Sequence, residues 1–245
     1  MYKKGIYTIG ENTKIAKDVY LMTLYGDTSF ITAPGQFINI QLDGFFLRRP
    51  ISICDWDKEK IVIIYKVVGA GTEAMAKMTN GQTLDVLTGL GNGFTINADS
   101  ETPLVIGGGV GTPPMYNLAK QLIQQGKKPT VILGFTSADD VFYEKEFAAL
   151  GCDVYVTTND GSYGTKGFVT DVIKNLSGFD YFYTCGPEPM LKAIAGATEC
   201  SGQLSFEERM GCGFGGCMGC SCKTLTGNKR ICKEGPILVK EEIIW

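Results

Sequence analysis

The sequence predicts a β plus α/β protein: an N-terminal antiparallel β-barrel, a parallel-sheet α/β unit and a C-terminal cysteine-loop region. Three observations carry that prediction. Short β-rich runs separated by Gly, Pro, Asn and Asp fill the first part of the chain. From about residue 99 apolar runs alternate with helix-like segments, the rhythm of a parallel sheet with crossover helices. Near the end stands Cys212-Gly-Phe-Gly-Gly-Cys217-Met-Gly-Cys220, with Cys232 after a gap of eleven residues. The expected divisions are 1–97, 98–205 and 206–245.

In the first division the runs VYLMTL, QFINIQL, ISICDW, KIVIIYKVV and TLDVL read as strands, and their spacing suggests a small antiparallel barrel. In the second, LVIGGG, TVILGF, VYVTT and YFYTCG read as strands. Between and after them PPMYNLAKQLIQQG, YEKEFAALG, FVTDVIKNL and PEPMLKAIAGA read as helices. The third division is too short to fold without a bound group or a neighbouring surface.

Composition narrows the function. The chain has 245 residues, 44% of them hydrophobic, enough to bury a substantial core in one large domain or two modest ones. A net charge of −3 and a pI near 5.2 give no basic footprint for nucleic acid or an anionic membrane. No apolar run reaches the roughly 20 residues of a membrane span, and the start MYKKGIYTIG lacks the apolar core of a signal peptide. A cytoplasmic location is therefore expected. Histidine is absent, which removes Ser-His and Cys-His nucleophiles and an imidazole base, so the hard chemistry must rest on cofactors.

The spacing C-x4-C-x2-C with a distant fourth cysteine is the plant-type [2Fe–2S] pattern, pointing to Cys212, Cys217, Cys220 and Cys232 as metal ligands. Gly211, Gly213, Gly215, Gly216 and Gly219 let the backbone wrap closely and turn amides toward sulfur. A structural zinc knot and a disulfide knot are the alternatives, but zinc sites pair two C-x2-C units or use histidine. Cys222 competes for the third position, and Cys220 is preferred because it completes the x2 spacing. Cys54, Cys152 and Cys200 stand alone and read as small buried hydrophobes.

Gly107, Gly108, Gly109 and Gly111 follow the first α/β strand and open its first helix, where a pyrophosphate can approach backbone amides. Pro114 replaces the third glycine of G-x-G-x-x-G, so a plain strand-to-helix turn is the competing reading. The segments Thr157–Gly164 and Thr184-Cys185-Gly186-Pro187 should lie on the same sheet edge, and the three loops are expected to converge on one crevice. No arginine occurs between residues 50 and 208, so a 2′-phosphate would lack its usual clamp and NAD(H) is favoured over NADP(H). In the β region, Leu47-Arg-Arg-Pro-Ile-Ser52 offers arginines beside a hydroxyl, able to hold a flavin pyrophosphate or to be a surface basic pair. Gly69-Ala-Gly-Thr72 reads as a turn.

These motifs resemble ferredoxin reductase-type flavoproteins. Within that group LRRPISI, IYKVVGAGT, TLDVLTGLGNGF, GGGVGTPPM, TTNDGSYGTKG, ERMGCGFGGCMGC and CKEGP are similar to the electron-transfer subunits of class B dihydroorotate dehydrogenases, over essentially the whole chain. The resemblance implies one FAD per subunit, contacted by Arg49, Pro50, Ile51, Ser52, Ile64, Tyr65, Lys66, Gly71 and Thr72. It implies one [2Fe–2S] cluster on the four cysteines, and a nicotinamide site shaped by the Gly107–Gly111 loop with Cys185, Gly186 and Pro187. It implies an FMN-containing dihydroorotate dehydrogenase catalytic subunit as partner, in a two-plus-two heterotetramer serving pyrimidine (UMP) biosynthesis. Ile51 stands where the wider group has tyrosine against the flavin.

Electron counting agrees with that assignment. A nicotinamide exchanges two electrons as hydride, an iron–sulfur centre one, and a flavin converts between them. The rival readings are the flavin and iron–sulfur subunit of another NAD(P)H-linked oxidoreductase, such as a bifurcating ferredoxin–NADP reductase, sulfide dehydrogenase or hydrogenase, and a colourless binding module with a zinc-held tail.

Overall fold

The structure, a computed structural model, describes residues 2–245. Six strands close a barrel in the order β1-β2-β5-β4-β3-β6: β1 Lys3–Ala16, β2 Val19–Tyr25, β3 Phe37–Gln41, β4 Arg49–Trp56, β5 Lys60–Lys66 and β6 Thr83–Leu90. Alternating side chains put Tyr7, Ile9, Met22, Leu24, Ile38, Ile40, Ile53, Ile61 and Ile63 inside. Strand β1 closes the ring by pairing with both β2 and β6, and it is the strand absent from the sequence reading. Its apolar signal is sparse, and a register shift interrupts it between Ile9 and Glu11, at Gly10, where a Cβ would meet the Tyr25 ring at 2.2 Å.

The segment after β5, read as a turn, runs on as helix α1, Ala70–Ala76. Thr72 Oγ1 accepts the amides of Val68 at 2.9 Å and Gly69 at 3.3 Å, and Met75 is driven fully into the barrel end. Helix α1 therefore plugs the barrel and fixes the Gly69–Thr72 turn.

The α/β unit contains β7 Pro103–Gly108, α2 Thr112–Gln124, β8 Thr130–Phe135, α3 Glu144–Ala149, β9 Asp153–Thr158, β10 Thr165–Lys166, α4 Val169–Ile173, β11 Tyr181–Cys185, α5 Glu188–Ala197 and β12 Gly202–Ser205. The sheet order is β10-β9-β8-β7-β11-β12-β15, where β15 is Ile237–Val239. All pairs are parallel except β12 with β15. Every residue of β7 is buried, as expected of a central strand covered on both faces. The strand order reverses between β7 and β11, creating the crevice where doubly wound sheets bind ligands.

The tail does more than the sequence reading foresaw, because β15 extends the α/β sheet along its β12 edge. The rest of the tail forms a hairpin, β13 Ser221–Thr224 with β14 Gly227–Arg230, and a buried cluster of Cys220, Ile231, Cys232 and Leu238 packed on Phe37, Leu87 and Leu90 of the barrel. Barrel and sheet share another core, in which Val19, Cys54 and Ile64 meet Val105, Met115, Leu118 and Leu122. Asp55 of β4 accepts Asn117 Nδ2 at 2.5 Å and Lys120 Nζ at 2.7 Å from α2. Among the described residues no helix is long and apolar enough to cross a membrane.

Candidate functional site

The two arginines ahead of β4 divide their work. Arg48 is committed to structure: its Nη2 meets Asp85 Oδ1 at 2.8 Å, and its Nη1 donates to the carbonyls of Asn39 and Asp85. Lys4 also reaches Asp85, at 2.8 Å. Burial works against ionising Asp85, but Lys4 and Arg48 prevail and hold its carboxyl below the usual value of 3.8. Among the described residues Arg49 has no carboxylate partner. It lies over the Phe45 ring at 4.8 Å and against the Gly69–Thr72 turn, where a Cβ on Gly71 would stand 2.1 Å from Arg49 Nε. A guanidinium without an acid, set against a glycine turn, suits a phosphate group.

The other residues expected at the flavin take different positions. Pro50 and Ser52 share one face of β4 and pair with Asn39 and Phe37 of β3. Ile51 points the other way and packs against the barrel core. Tyr65 is inside the barrel, donating its hydroxyl to Asn12 Oδ1 at 2.8 Å, so only its backbone is available to a ligand. Ile64 is buried in the core shared with the sheet, and Lys66 Nζ lies 3.2 Å from Asp140 Oδ1.

At the sheet crevice, the first and third glycine loops meet. A Cβ on Gly111 would stand 2.2 Å from the Cys185 carbonyl, and one on Gly186 would stand 3.3 Å from Gly108 Cα. Met190 packs under Gly108 and Gly186, with Pro187 alongside Gly108, while Gly107 is pressed onto Thr112 and Gly109 takes a left-handed φ of 53°. Helix α2 opens with Thr112, Pro113 and Pro114, so its first turn keeps few free amides. An anion therefore has to be met by the turn itself. Thr112, which the sequence reading did not single out, and Thr184, which opens the Thr184–Pro187 segment, are fully buried here with hydroxyls that find no partner in the protein. Such groups fit a ligand carrying ribose and phosphate oxygens. Cys185 is half-buried, and burial pushes its thiol up to about 12. The second loop, Thr157–Gly164, sits at the end of β9, two strands from β7. Of the three loops, those after β7 and β11 touch directly, because their strands are neighbours.

The cysteine loop is lined with amides. Cys212 Sγ accepts N–H groups from Gly216 at 3.2 Å and Cys217 at 3.4 Å, Cys217 Sγ accepts Gly219 at 3.5 Å, and Cys220 Sγ accepts Cys232 at 3.4 Å. Burial alone would raise the Cys212 thiol, but the amides of Cys217, Phe214 and Gly216 carry it down to about 6. The hydrogen bonds group Cys217 with Cys212 and Cys232 with Cys220, and burial, then Cys220, pushes the Cys232 thiol up to about 12. No three or more His, Cys, Asp and Glu side chains among the described residues form one closed metal shell. Two pairs of sulfurs suit two irons, each taking two thiolates, whereas a single zinc needs all four at once. Cys222 is on β13, packed against the cluster of Cys220 and Cys232, where burial and then Glu208 raise its thiol.

Arg230 fastens this loop from the hairpin by donating to the Gly215 carbonyl at 2.7 Å while paired with Glu234. Asn39 holds it from the barrel, donating Nδ2 to the Cys212 carbonyl at 3.2 Å. Of the isolated cysteines, Cys54 and Cys152 are buried as expected, and Cys200 is half-buried.

Residues 207–244 match the model of the iron–sulfur cluster binding domain of dihydroorotate dehydrogenase B, and residues 105–196 match an oxidoreductase NAD-binding domain. The chain is 46% identical to the dihydroorotate dehydrogenase B (NAD(+)) electron transfer subunit of Fusobacterium nucleatum subsp. nucleatum, covering 96% of each chain. It is 43% identical to the protein of the same name from Shouchella clausii, covering 99% of this chain and 98% of that one. Among solved structures, an NADH-dependent reduced ferredoxin–NADP oxidoreductase superposes with a TM-score of 0.90 at 30% identity, over 98% of this chain and 90% of that one. Phthalate dioxygenase reductase shares the fold at TM-score 0.64 and 20% identity, over 79% of this chain and 64% of that one. With near-complete coverage at these identities, and with a cysteine loop, barrel and glycine crevice all in place, the chain belongs to the family of dihydroorotate dehydrogenase B (NAD(+)) electron transfer subunits.

Proposed function

We propose that this chain carries electrons between NAD(H) and the FMN of a separate dihydroorotate dehydrogenase catalytic subunit, through one FAD and one [2Fe–2S] cluster, in pyrimidine biosynthesis. The observation that carries the reading is the placement of three candidate sites around one strand pair: β3 touches the cysteine loop, β4 carries Arg49–Ser52, and Asp55 of β4 docks α2 of the glycine crevice. When bound, the flavin exchanges a hydride with nicotinamide and electrons singly with the cluster.

In this reading Arg49, Gly71 and Thr72 hold the flavin pyrophosphate, Pro50 and Ser52 line its ring, and Ile51, Ile64, Tyr65 and Lys66 contribute backbone. The crevice formed by Gly107, Gly108, Gly109, Gly111, Cys185, Gly186 and Pro187 seats the nicotinamide nucleotide. Cys212, Cys217, Cys220 and Cys232 hold the cluster, two per iron. The divisions 1–97, 98–205 and 206–245 then correspond to FAD, NAD and cluster regions, with β15 as the tail's contribution to the sheet. The exposed side chains of Phe214 and Met218 on the cluster loop, with Phe214 tilted against Tyr2 at 5.0 Å, offer the apolar surface for the catalytic partner. Two such chains with two catalytic chains, in the cytoplasm, complete the proposal.

A second reading, the flavin and iron–sulfur subunit of a bifurcating oxidoreductase, is favoured by the TM-score of 0.90 with the ferredoxin–NADP oxidoreductase structure. Assay of the isolated chain and of the pair reconstituted with the FMN-containing subunit separates them. The isolated chain is expected to pass electrons from NADH to artificial acceptors without oxidising dihydroorotate, and the pair to reduce NAD with dihydroorotate. Dihydroorotate oxidation by the isolated chain, or none by the pair, sinks the assignment.

A further inference from the structure

Asn39 is the one side chain in β3 that reaches across to the cysteine loop by hydrogen bonding, and nothing in the spacing of the motifs points to it. It is 1% exposed, yet polar. In the β3–β4 register it stands directly opposite Pro50, so the two side chains lie on the same face about 5 Å apart. Its Nδ2 donates to the Cys212 carbonyl at 3.2 Å. The next residue, Gly213, takes a left-handed φ of 78° and lies so close that a Cβ would stand 2.3 Å from the same Nδ2. Loop and amide are thus in contact at two consecutive residues. The backbone of Asn39 is itself clamped, since Arg48 Nη1 donates to its carbonyl at 3.2 Å while bound to Asp85.

A buried amide is a costly choice for an outer barrel face that is otherwise apolar at the cluster contact, where Phe37, Leu87 and Leu90 do the packing. Its Oδ1 is also buried and meets no donor in the protein. A side chain chosen for packing alone would be apolar. Resting on the cluster and flavin reading above, we propose that Asn39 is a positioning residue: it fixes the Cys212 arm of the cluster loop against the strand pair that carries Pro50 and Ser52, and so sets the distance and orientation between the cluster and flavin sites. Arg48 and Asp85 act behind it, as the anchor of its backbone.

The test uses the full chain loaded with flavin and iron. In Asn39→Leu, which keeps volume and removes the donor, flavin content and the rate of flavin reduction by NADH are expected to stay within about twofold of the parent. The EPR signal of the reduced cluster is expected to shift or broaden, and flavin-to-cluster transfer after rapid mixing with NADH to slow at least tenfold. Asn39→Ser, too short to reach the carbonyl but polar and smaller, should show the same signature and answers the case in which the leucine variant fails to fold. Loss of iron with flavin retained in either variant also supports the role. A parent-like EPR spectrum and transfer rate in the serine variant, or in a folded leucine variant, overturns it. A parent chain that binds flavin but no iron overturns both this role and the cluster assignment beneath it.

Discussion

At the residue scale the sharpest question is which thiols matter. Cys212, Cys217, Cys220 and Cys232 lie in two hydrogen-bonded pairs, and the amides around Cys212 already stabilise its thiolate. Cys222 sits on β13 with a thiol pushed up by burial. Replacing each of the five by serine should abolish iron binding in the four paired cysteines and leave it intact in Cys222→Ser, measured as iron per chain and by EPR of the reduced protein. Iron lost in Cys222→Ser but kept in Cys220→Ser would reverse the assignment. The same scale separates Arg48 from Arg49. Adjacent in sequence and identical in type, one is bound to Asp85 and the other faces the Gly71 turn. Only cross-strand geometry distinguishes them.

At the scale of elements, the loop after β8 offers carboxylates and no arginine to a nucleotide bound at the sheet edge. Its carboxylates are Asp139 and Asp140, and Asp140 is taken by Lys66 and Ser137. The four arginines lie outside this loop, Arg48 and Arg230 in ion pairs. NADH should therefore reduce the bound flavin at least tenfold more efficiently than NADPH, a difference of about 1.4 kcal/mol. Equal stopped-flow rates would remove the argument. Strand β6 illustrates a structural role: Asp85 joins it to Arg48 and to Lys4 of β1. Because its folded pKa is depressed, this contribution is complete above the ordinary value of 3.8 and is lost as pH falls through the folded value. Asp85→Asn should lower stability by about 1–3 kcal/mol at neutral pH, and the deficit against the parent should shrink in denaturant titrations below pH 4. A deficit that stays constant with pH would mean the charge contributes nothing.

For the whole molecule, the barrel and the sheet share a core, and the Asp55 contacts with Asn117 and Lys120 lock their relative placement. Removing Asp55 leaves a half-buried lysine and a buried asparagine without their acceptor. Asp55→Ala is expected to cost about 1–3 kcal/mol in unfolding free energy and to slow flavin reduction by NADH. The cluster's EPR signal should be unaffected, because the cysteine loop docks on other strands. An altered EPR signal with unchanged NADH kinetics would show that the two docking surfaces are not independent.

Much of this protein was legible in its residues. The five barrel strands from β2 to β6 and the βα alternation are local patterns, written in side-chain period, and the structure reproduces them; the cysteine spacing is a local pattern too. Strand β1 escaped because its apolar signal is thin and broken at Gly10, and α1 because a seven-residue helix beginning in glycines looks like a turn. What the chain order could not disclose was adjacency. The meeting of the Gly111 and Cys185 loops depends on strand order, which makes β7 and β11 neighbours. The addition of β15 to the sheet and the reach of Asn39 to Cys212 join residues 32 or more positions apart. The sequence by itself determined which chemical groups the protein possesses and what each local segment becomes, because those follow from short-range sterics and periodicity. Only the tertiary structure decided which of those groups face one another, because closing a barrel and ordering a sheet are long-range events that no local pattern encodes.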